Sequence, residues 1–354
     1  MLSELVKDAE TDDVLMRLRE LCAARGLDGL ARGLAELGEL VTADMQQLEG
    51  ELLQVRSDRR LAERAASHLL ATGGKRVRPL CVALASRVGS GFDPVALDLA
   101  VAVELVHHAT LLHDDVVDLA TARRGQPAAR VEFGNAASIF AGDWLLIEAL
   151  RRVQRSAVPG VLEALLDTIA EMIRAESLQL ELRGRLDTSR ASYFAIAEGK
   201  SATLFRWAMY AGGRAGGLDA EHCAALERFG AHLGVAFQVI DDLLDLAGRP
   251  EETGKALFTD LREGKMTFPV IVGLERRPAL APLLQKVIDG GAAPPVPLAS
   301  AIRELLEQSG ALEESRSYAS ERVDRAREAL RALPKSEATA ALAMVADSTV
   351  RRTH

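Results

Sequence analysis

Two aspartate triplets of identical spacing, Asp114, Asp115 and Asp118 in LLHDDVVD and Asp241, Asp242 and Asp245 in FQVIDDLLD, lie directly against leucine, isoleucine and valine. A solvated acidic face would have lysine, arginine or glutamine beside it, so these carboxylates belong to segments that must also bury apolar surface. With about 3.6 residues per helical turn, positions i and i+4 share a face and i+1 lies beside them, so a helix gathers each triplet into one patch. Like charges about 4 Å apart repel by roughly 4 kcal/mol per pair at an effective dielectric of about 20. The spacing therefore predicts a cation at each patch. Hard oxygen donors without a neighbouring thiolate or paired histidines suit Mg²⁺, which keeps several waters and bridges carboxylates to a substrate's phosphates. One DDxxD alone is common on solvated helices; two copies in apolar surroundings are not.

The rest of the chain is written in the same helical period. Apolar residues recur at three and four, as in Leu145, Leu146, Ala149 and Val153, or Val323, Ala326, Ala329 and Leu330, and strand-like alternation is missing. Breaks fall at Gly73-Gly74, Gly89-Ser90-Gly91, Pro159-Gly160, Gly212 to Gly217, Gly248 to Gly254 and Gly290 to Pro297. None is long or polar enough for an interdomain linker. The prediction is an all-α fold: one catalytic domain over residues 36–354, preceded by an N-terminal arm or extra helix over 1–35.

Composition narrows the function classes. A hydrophobic content of 48% in 354 residues supports a substantial core, and a net charge of -8 without a basic stripe argues against nucleic acid as a partner. Cys22, Cys81 and Cys223 are far apart and form no CxxC pair, which fits a reducing cytoplasm better than a disulfide framework. The start, MLSELVKDAETDD, lacks the order of a secretory signal, and no uncharged apolar run approaches the ~18 residues of a membrane span. A soluble, cytoplasmic protein is expected.

Cations cluster near the acidic motifs in sequence. GGKRVRP places Lys75, Arg76 and Arg78 after Gly73-Gly74, with Pro79 marking a helix start; taken alone, it reads as an exposed basic helix entrance, with a diphosphate cradle as the alternative. Arg123 and Arg124 follow Asp118 in DLATARRGQP, where they either end a helix or face the carboxylates. Lys200, Lys255 and Lys265 each follow a glycine, which permits close backbone approach. His107 precedes Asp114 by two helical turns and shares its face.

In order and spacing, GGKRVRP, HHATLLHDDVVD, ARRGQP, EGKSATLF, FQVIDDLLD and GKALFTDLREGKMTFP resemble the trans-type polyprenyl diphosphate synthases over about residues 40–350, most of all the long-chain, octaprenyl-type members. The resemblance implies an all-helical single-domain bundle with a deep central cavity, two or three Mg²⁺ ions per active site and a homodimer. It implies that Asp114, Asp115 and Asp118, with Asp241 and Asp245, hold the Mg²⁺ ions on an allylic diphosphate. Arg123, Lys200, Gln238, Lys255 and Lys265 would contact that diphosphate, and Lys75, Arg78, His107 and Arg124 would bind isopentenyl diphosphate without metal. The catalytic set on this reading is Asp114, Asp115, Asp118, Asp241, Lys200 and Lys255. Val106, Ala109 and Thr110, one to two turns before Asp114, would set product length, with Phe140 and Trp144 as candidates for a deeper floor or for ordinary core. Small residues at those positions imply a medium- or long-chain trans-polyprenyl diphosphate for a quinone side chain, with transient bilayer contact to release it. Two departures from the pattern stand out: Gln126 where lysine is common, and KSAT in place of KTA or KTG.

Three rivals share parts of this pattern. A class I terpene cyclase also uses DDxxD and Mg²⁺ but binds one diphosphate, and Lys75, Arg78 and Arg124 favour two. A di-iron bundle would need a second ExxH beside Glu104 to His107, and none is present. A structural Mg²⁺ or Ca²⁺ binder would not need the cations.

Overall fold

Alanine, leucine, glutamate and arginine lose little side-chain freedom in a helix, and nearly all of the described chain is helical. The computed structural model describes residues 28–247 and 257–351. In chain order come α1 (Asp28–Val55), α2 (Leu61–Ala71), α3 (Val77–Val88), α4 (Pro94–Val117), a hairpin of β1 (Ala122–Arg123) and β2 (Gln126–Pro127), α5 (Ala129–Phe133), α6 (Asn135–Ser156) and α7 (Val161–Glu181). Then follow α8 (Arg190–Ala197), a π-helical turn (Glu198–Ala202), α9 (Thr203–Ala215), α10 (Ala220–Ala247), α11 (Thr259–Arg262), α12 (Phe268–Arg276), α13 (Ala281–Gly290), α14 (Val296–Gln308), α15 (Ala311–Ala329) and α16 (Glu337–Val350). Residues 28–35, placed with the N-terminal arm on sequence, belong to α1, and 1–27 lie outside the described residues.

Contacts divide the chain into two compact units. Among the described residues the first comprises 28–163, Ala208–Leu226 and Leu330–Val345. Its centre is α4, which packs most extensively against α6 and buries Leu99, Val103, Leu105, Val106, Ala109 and Leu112. Each large aliphatic side chain fully removed from water contributes roughly 1.5–3 kcal/mol. Asp93 starts α4 by accepting from the Ala96 amide at 2.8 Å, with Pro94 in the first turn. Among the described residues α4 alone is long and apolar enough to cross a membrane, with a mean hydropathy of 1.6 over 18 residues. Asp98 and Glu104 interrupt that run and hid it from the sequence reading. Its stretch is 67% buried, as befits a core helix.

Among the described residues the second unit comprises Ala164–Trp207, 227–247, 257–329 and 346–351. Its core joins Val239, Ile240 and Leu243 of α10 to Phe258, Phe268, Leu280, Leu284, Ile302 and Leu306. A Cβ at Gly234 would stand 2.4 Å from the Ala202 backbone, so this glycine lets α10 lie directly against the π-helical turn.

Two sequence expectations fail locally. The break placed at Gly212 to Gly217 begins too early, because α9 continues to Ala215. A Cβ at Gly212 would come within 2.4 Å of the Val82 carbonyl, so this glycine serves close helix packing within the first unit. Phe140, offered as a tunnel floor or core residue, is 63% exposed on α6. The core face of that helix is carried instead by Ala137, Ala141, Leu145 and Ala149.

Candidate active site

The first aspartate cluster closes α4. Asp118 is its C-cap, and Leu119 adopts a left-handed φ of 54°. The Ala120 amide then reaches the Asp115 carbonyl at 2.9 Å and the Leu119 amide the Val116 carbonyl at 3.4 Å, a Schellman ending with leucine where glycine is usual. The turn sends the chain into the hairpin, whose loop residues Arg124 and Gly125 have φ of 51° and 76°, a type I′ turn. Arg123 and Arg124 therefore do not end a helix. The hairpin folds Arg123 back onto α4, where its Nε donates to Asp115 Oδ1 at 3.0 Å and its Nη2 donates to the same oxygen.

Asp115 is 0% exposed, whereas Asp114 and Asp118 are half-buried. The triplet is thus not three equivalent ligands on one open patch: the i+1 carboxylate is rotated inward and held by Arg123. Its Oδ2 is buried with no hydrogen-bond partner. Burial raises its pKa above the ordinary carboxylate range, Arg123 opposes the shift, and the charges of Asp114 and Asp118 add to it. A buried, unpartnered acceptor among like charges calls for a cation. Among the described residues no three acidic, histidine or cysteine groups close a metal shell by themselves. A Mg²⁺ ion here would have to complete its shell with water and phosphate oxygens.

The cations assigned to isopentenyl diphosphate gather in the same unit. Burial pushes the His107 pKa well below the ordinary histidine range, and Arg78, His108, Arg124 and Arg123 push it further, so His107 is neutral among guanidinium charges. A Cβ at Gly74 would come within 3.0 Å of the Arg124 guanidinium. The Gly73-Gly74 segment thus admits Arg124, whose Nη1 lies 3.5 Å from Thr72 Oγ1. Lys75 is exposed at the same loop. Arg76 has a separate task. It caps α3 at φ 46° and donates to Glu49 and Glu104, each at 2.7 Å. Glu104, the acidic residue of the ExxH considered for iron, is spent in this pair.

Ahead of the aspartates, Val106 and Ala109 are buried, and Thr110 is half-buried with its hydroxyl donating to the His107 carbonyl at 2.8 Å.

Of the second cluster, in the second unit, Asp242 lines a solvent-connected cleft together with Tyr193, Lys200, Gln238, Lys265 and Thr267, while Asp241 and Asp245 are not among the lining residues. The cleft brings together Lys200, Gln238 and Lys265, three of the five residues assigned to the allylic diphosphate. Of the other two, Arg123 lies in the first unit, and Lys255 lies outside the described residues. Lys200 is fixed in the π-helical turn by Gln179 at 3.2 Å and by Glu176, and Lys265 by Glu263 at 2.7 Å. The glycines before these lysines allow close approach. A Cβ on Gly199 would sit 2.7 Å from Ala175 Cβ, and Gly264, at φ 76°, accepts from the Gly184 amide at 2.8 Å.

The three aspartates of the second motif are not interchangeable. Asp242 is buried, and Tyr193 Oη donates to its Oδ2 at 2.6 Å while Gln238 Nε2 donates to its Oδ1 at 2.8 Å. Gln238 in turn accepts from Ser201, the serine of KSAT, at 2.5 Å. Burial, then the charge of Asp260, pushes the Asp242 pKa up to about 7, with Asp241 adding to it. Asp245 accepts from the Thr259 and Asp260 amides at 3.0 and 3.3 Å and so caps α11. Asp241 is half-buried. Sequence reasoning passed over Tyr193 and Asp260. Tyr193 lies seven residues before Lys200, two helical turns, and Asp260 stands inside the quoted GKALFTDLREGK, so both were within reach.

Residues 59–305 match the polyprenyl synthetase family. A short chain isoprenyl diphosphate synthase of Methanothermobacter thermautotrophicus is 36% identical over 300 residues, covering 82% of this chain and 90% of that protein. Octaprenyl diphosphate synthase of Escherichia coli is 34% identical over 321 residues, 90% of this chain and 99% of that one. A polyprenyl synthase from Caulobacter crescentus, crystallised with calcium and isoprenyl diphosphate, superposes with a TM-score of 0.84 at 36% identity, covering 90% and 98%. The named relatives make products of different lengths, and they give the cyclase reading no support. The chain belongs to the polyprenyl synthetase family, as a prenyltransferase of the trans-polyprenyl diphosphate synthase kind.

Proposed function

We propose that the protein condenses isopentenyl diphosphate head-to-tail with an allylic diphosphate, in a Mg²⁺-dependent reaction in the cytoplasm, to give a medium- or long-chain product for a quinone side chain. The observation that carries the metal dependence is the unpartnered, buried Oδ2 of Asp115 between two further carboxylates. Asp114, Asp115 and Asp118 in the first unit, and Asp241 and Asp245 in the second, would be the residues to hold Mg²⁺, which would supply Lewis-acid charge at a leaving diphosphate.

The residues of the chain do the rest. Lys200, Lys265, Lys255 and Gln238 stabilise the charge that grows on the allylic diphosphate as its C–O bond breaks. Arg78, Arg124 and Lys75 hold the second diphosphate as a fixed cationic set around neutral His107. Val106, Leu112 and their apolar neighbours keep water from the allylic cation. The isopentenyl double bond then forms the new C–C bond, and the proton released passes to the departing diphosphate, so no protein nucleophile is required. Exposed apolar stripes support a homodimer: Ile139, Phe140 and Ile147 on α6, and Leu166, Ile173 and Leu180 at a spacing of seven on α7. Release of a long product through transient bilayer contact completes the cycle.

Incubation with farnesyl diphosphate, labelled isopentenyl diphosphate and Mg²⁺ tests this reading: elongated linear products support it, and a cyclised or unchanged primer refutes it. Product length is assigned to the α4 face carrying Ala109. Ala109→Phe is expected to shorten the product by at least one isoprene unit on chromatography, with circular dichroism showing a folded variant. Unchanged length in a folded Ala109→Phe enzyme defeats the assignment.

A further inference from the structure

Threonine at a helix N-cap ordinarily turns its hydroxyl onto the amide two or three positions on. Thr267 caps α12 and makes no such bond. The sequence Thr-Phe-Pro explains part of this, since the second helical position is Pro269, which has no N–H to offer. Thr267 as a residue is nevertheless only 5% exposed, and its Oγ1 is buried with no hydrogen-bond partner. A hydroxyl left in that condition destabilises the fold unless something else engages it.

The surroundings name the missing partner. Thr267 lines the cleft of the second unit together with Lys200 and Lys265. It stands at the N-terminus of a nine-residue helix, whose dipole and leading amides favour an anion. Asp242 and Asp260 line the same cleft, so an anion arriving alone would be repelled, and one carrying a divalent cation would not. We propose that Thr267 is a substrate-contact residue whose hydroxyl donates to an oxygen of the metal-bound diphosphate, beside Lys200 and Lys265. This rests on the proposed function, which makes the cleft an allylic diphosphate site.

The test uses the full chain, inorganic pyrophosphate with Mg²⁺ as the probe, and calorimetry for affinity. Thr267→Val keeps the shape and removes the hydroxyl. Its affinity for the probe is expected to fall about tenfold, the loss of one hydrogen bond to a charged group, with the same rise in KM for the allylic substrate. The melting temperature without ligand is expected to hold or rise, because an unsatisfied group has gone, and Thr267→Ser is expected to bind like the wild type. Thr267→Ala supplies a second hydroxyl-free side chain if the valine variant does not fold. Wild type and Thr267→Val binding the probe equally well overturns this assignment alone. Wild type that ignores the probe removes the diphosphate site itself and this inference with it.

Discussion

Replacing Asp115 with asparagine is expected to lower kcat for chain elongation by about 10³-fold or more, while the metal-free protein stays as stable as the wild type or becomes more so. The two effects have one origin. Asp115 is fully buried, with one oxygen engaged by Arg123 and the other unpartnered, and its carboxyl resists ionisation because burial and two neighbouring carboxylates oppose the charge. Asparagine keeps the volume and an acceptor for Arg123 but removes the charge that a divalent cation would neutralise. A metal contributing several kcal/mol of charge stabilisation corresponds to about three decades in rate. The sign of the pH effect follows from the raised pKa. In the wild type the folded state keeps a proton that the unfolded state has lost, so the stability gap should move in favour of the asparagine variant as pH rises above the ordinary carboxylate range. Initial rates and thermal melts over pH measure both. A kcat within tenfold of wild type removes Asp115 from the metal site.

Arg76→Leu is expected to destabilise the first unit by about 3–5 kcal/mol and to lower the melting temperature by about 10 °C. Glu104 is 2% exposed, and Arg76 Nη1 donates to it at 2.7 Å. Burial alone would raise the Glu104 pKa, but the charges beside it, Arg76 first, outweigh burial and bring it down. Deleting the guanidinium strands a buried carboxylate on α4. Glu49, at 32% side-chain exposure, can turn to water and contributes less. Arg76 also anchors the loop between Lys75 and Arg78, so KM for isopentenyl diphosphate should rise in whatever fraction still folds. Circular dichroism melts check the prediction, and a shift of less than about 2 °C would mean that Glu104 finds another partner.

Much of this was legible in the sequence. The helical class followed from periodicity, and the Asp93-Pro94 start of α4 carries a strong local signal. Lys200, Gln238 and Lys265, singled out from separate motifs, line one cleft. What could not be read depends on contacts distant in sequence or on backbone that the residue types do not announce. Arg124 takes a left-handed conformation in a two-residue turn where Asn-Gly or Asp-Gly would have signalled a hairpin, so a helix end stayed open as one of two readings of Arg123. Glu104 and Arg76 are 28 residues apart, and nothing local marks them as a pair. Asp242 and Asp245 look equivalent in DDLLD, yet one is locked by Tyr193 and Gln238 while the other caps α11. Gly212 reads as punctuation and serves instead as a point of close backbone approach.

The most direct measurement is elongation of farnesyl diphosphate by labelled isopentenyl diphosphate as free Mg²⁺ is titrated against a strong chelator. The account predicts longer linear products whose rate saturates with Mg²⁺ and vanishes when the chelator is in excess. Undiminished elongation with no free divalent cation would contradict it.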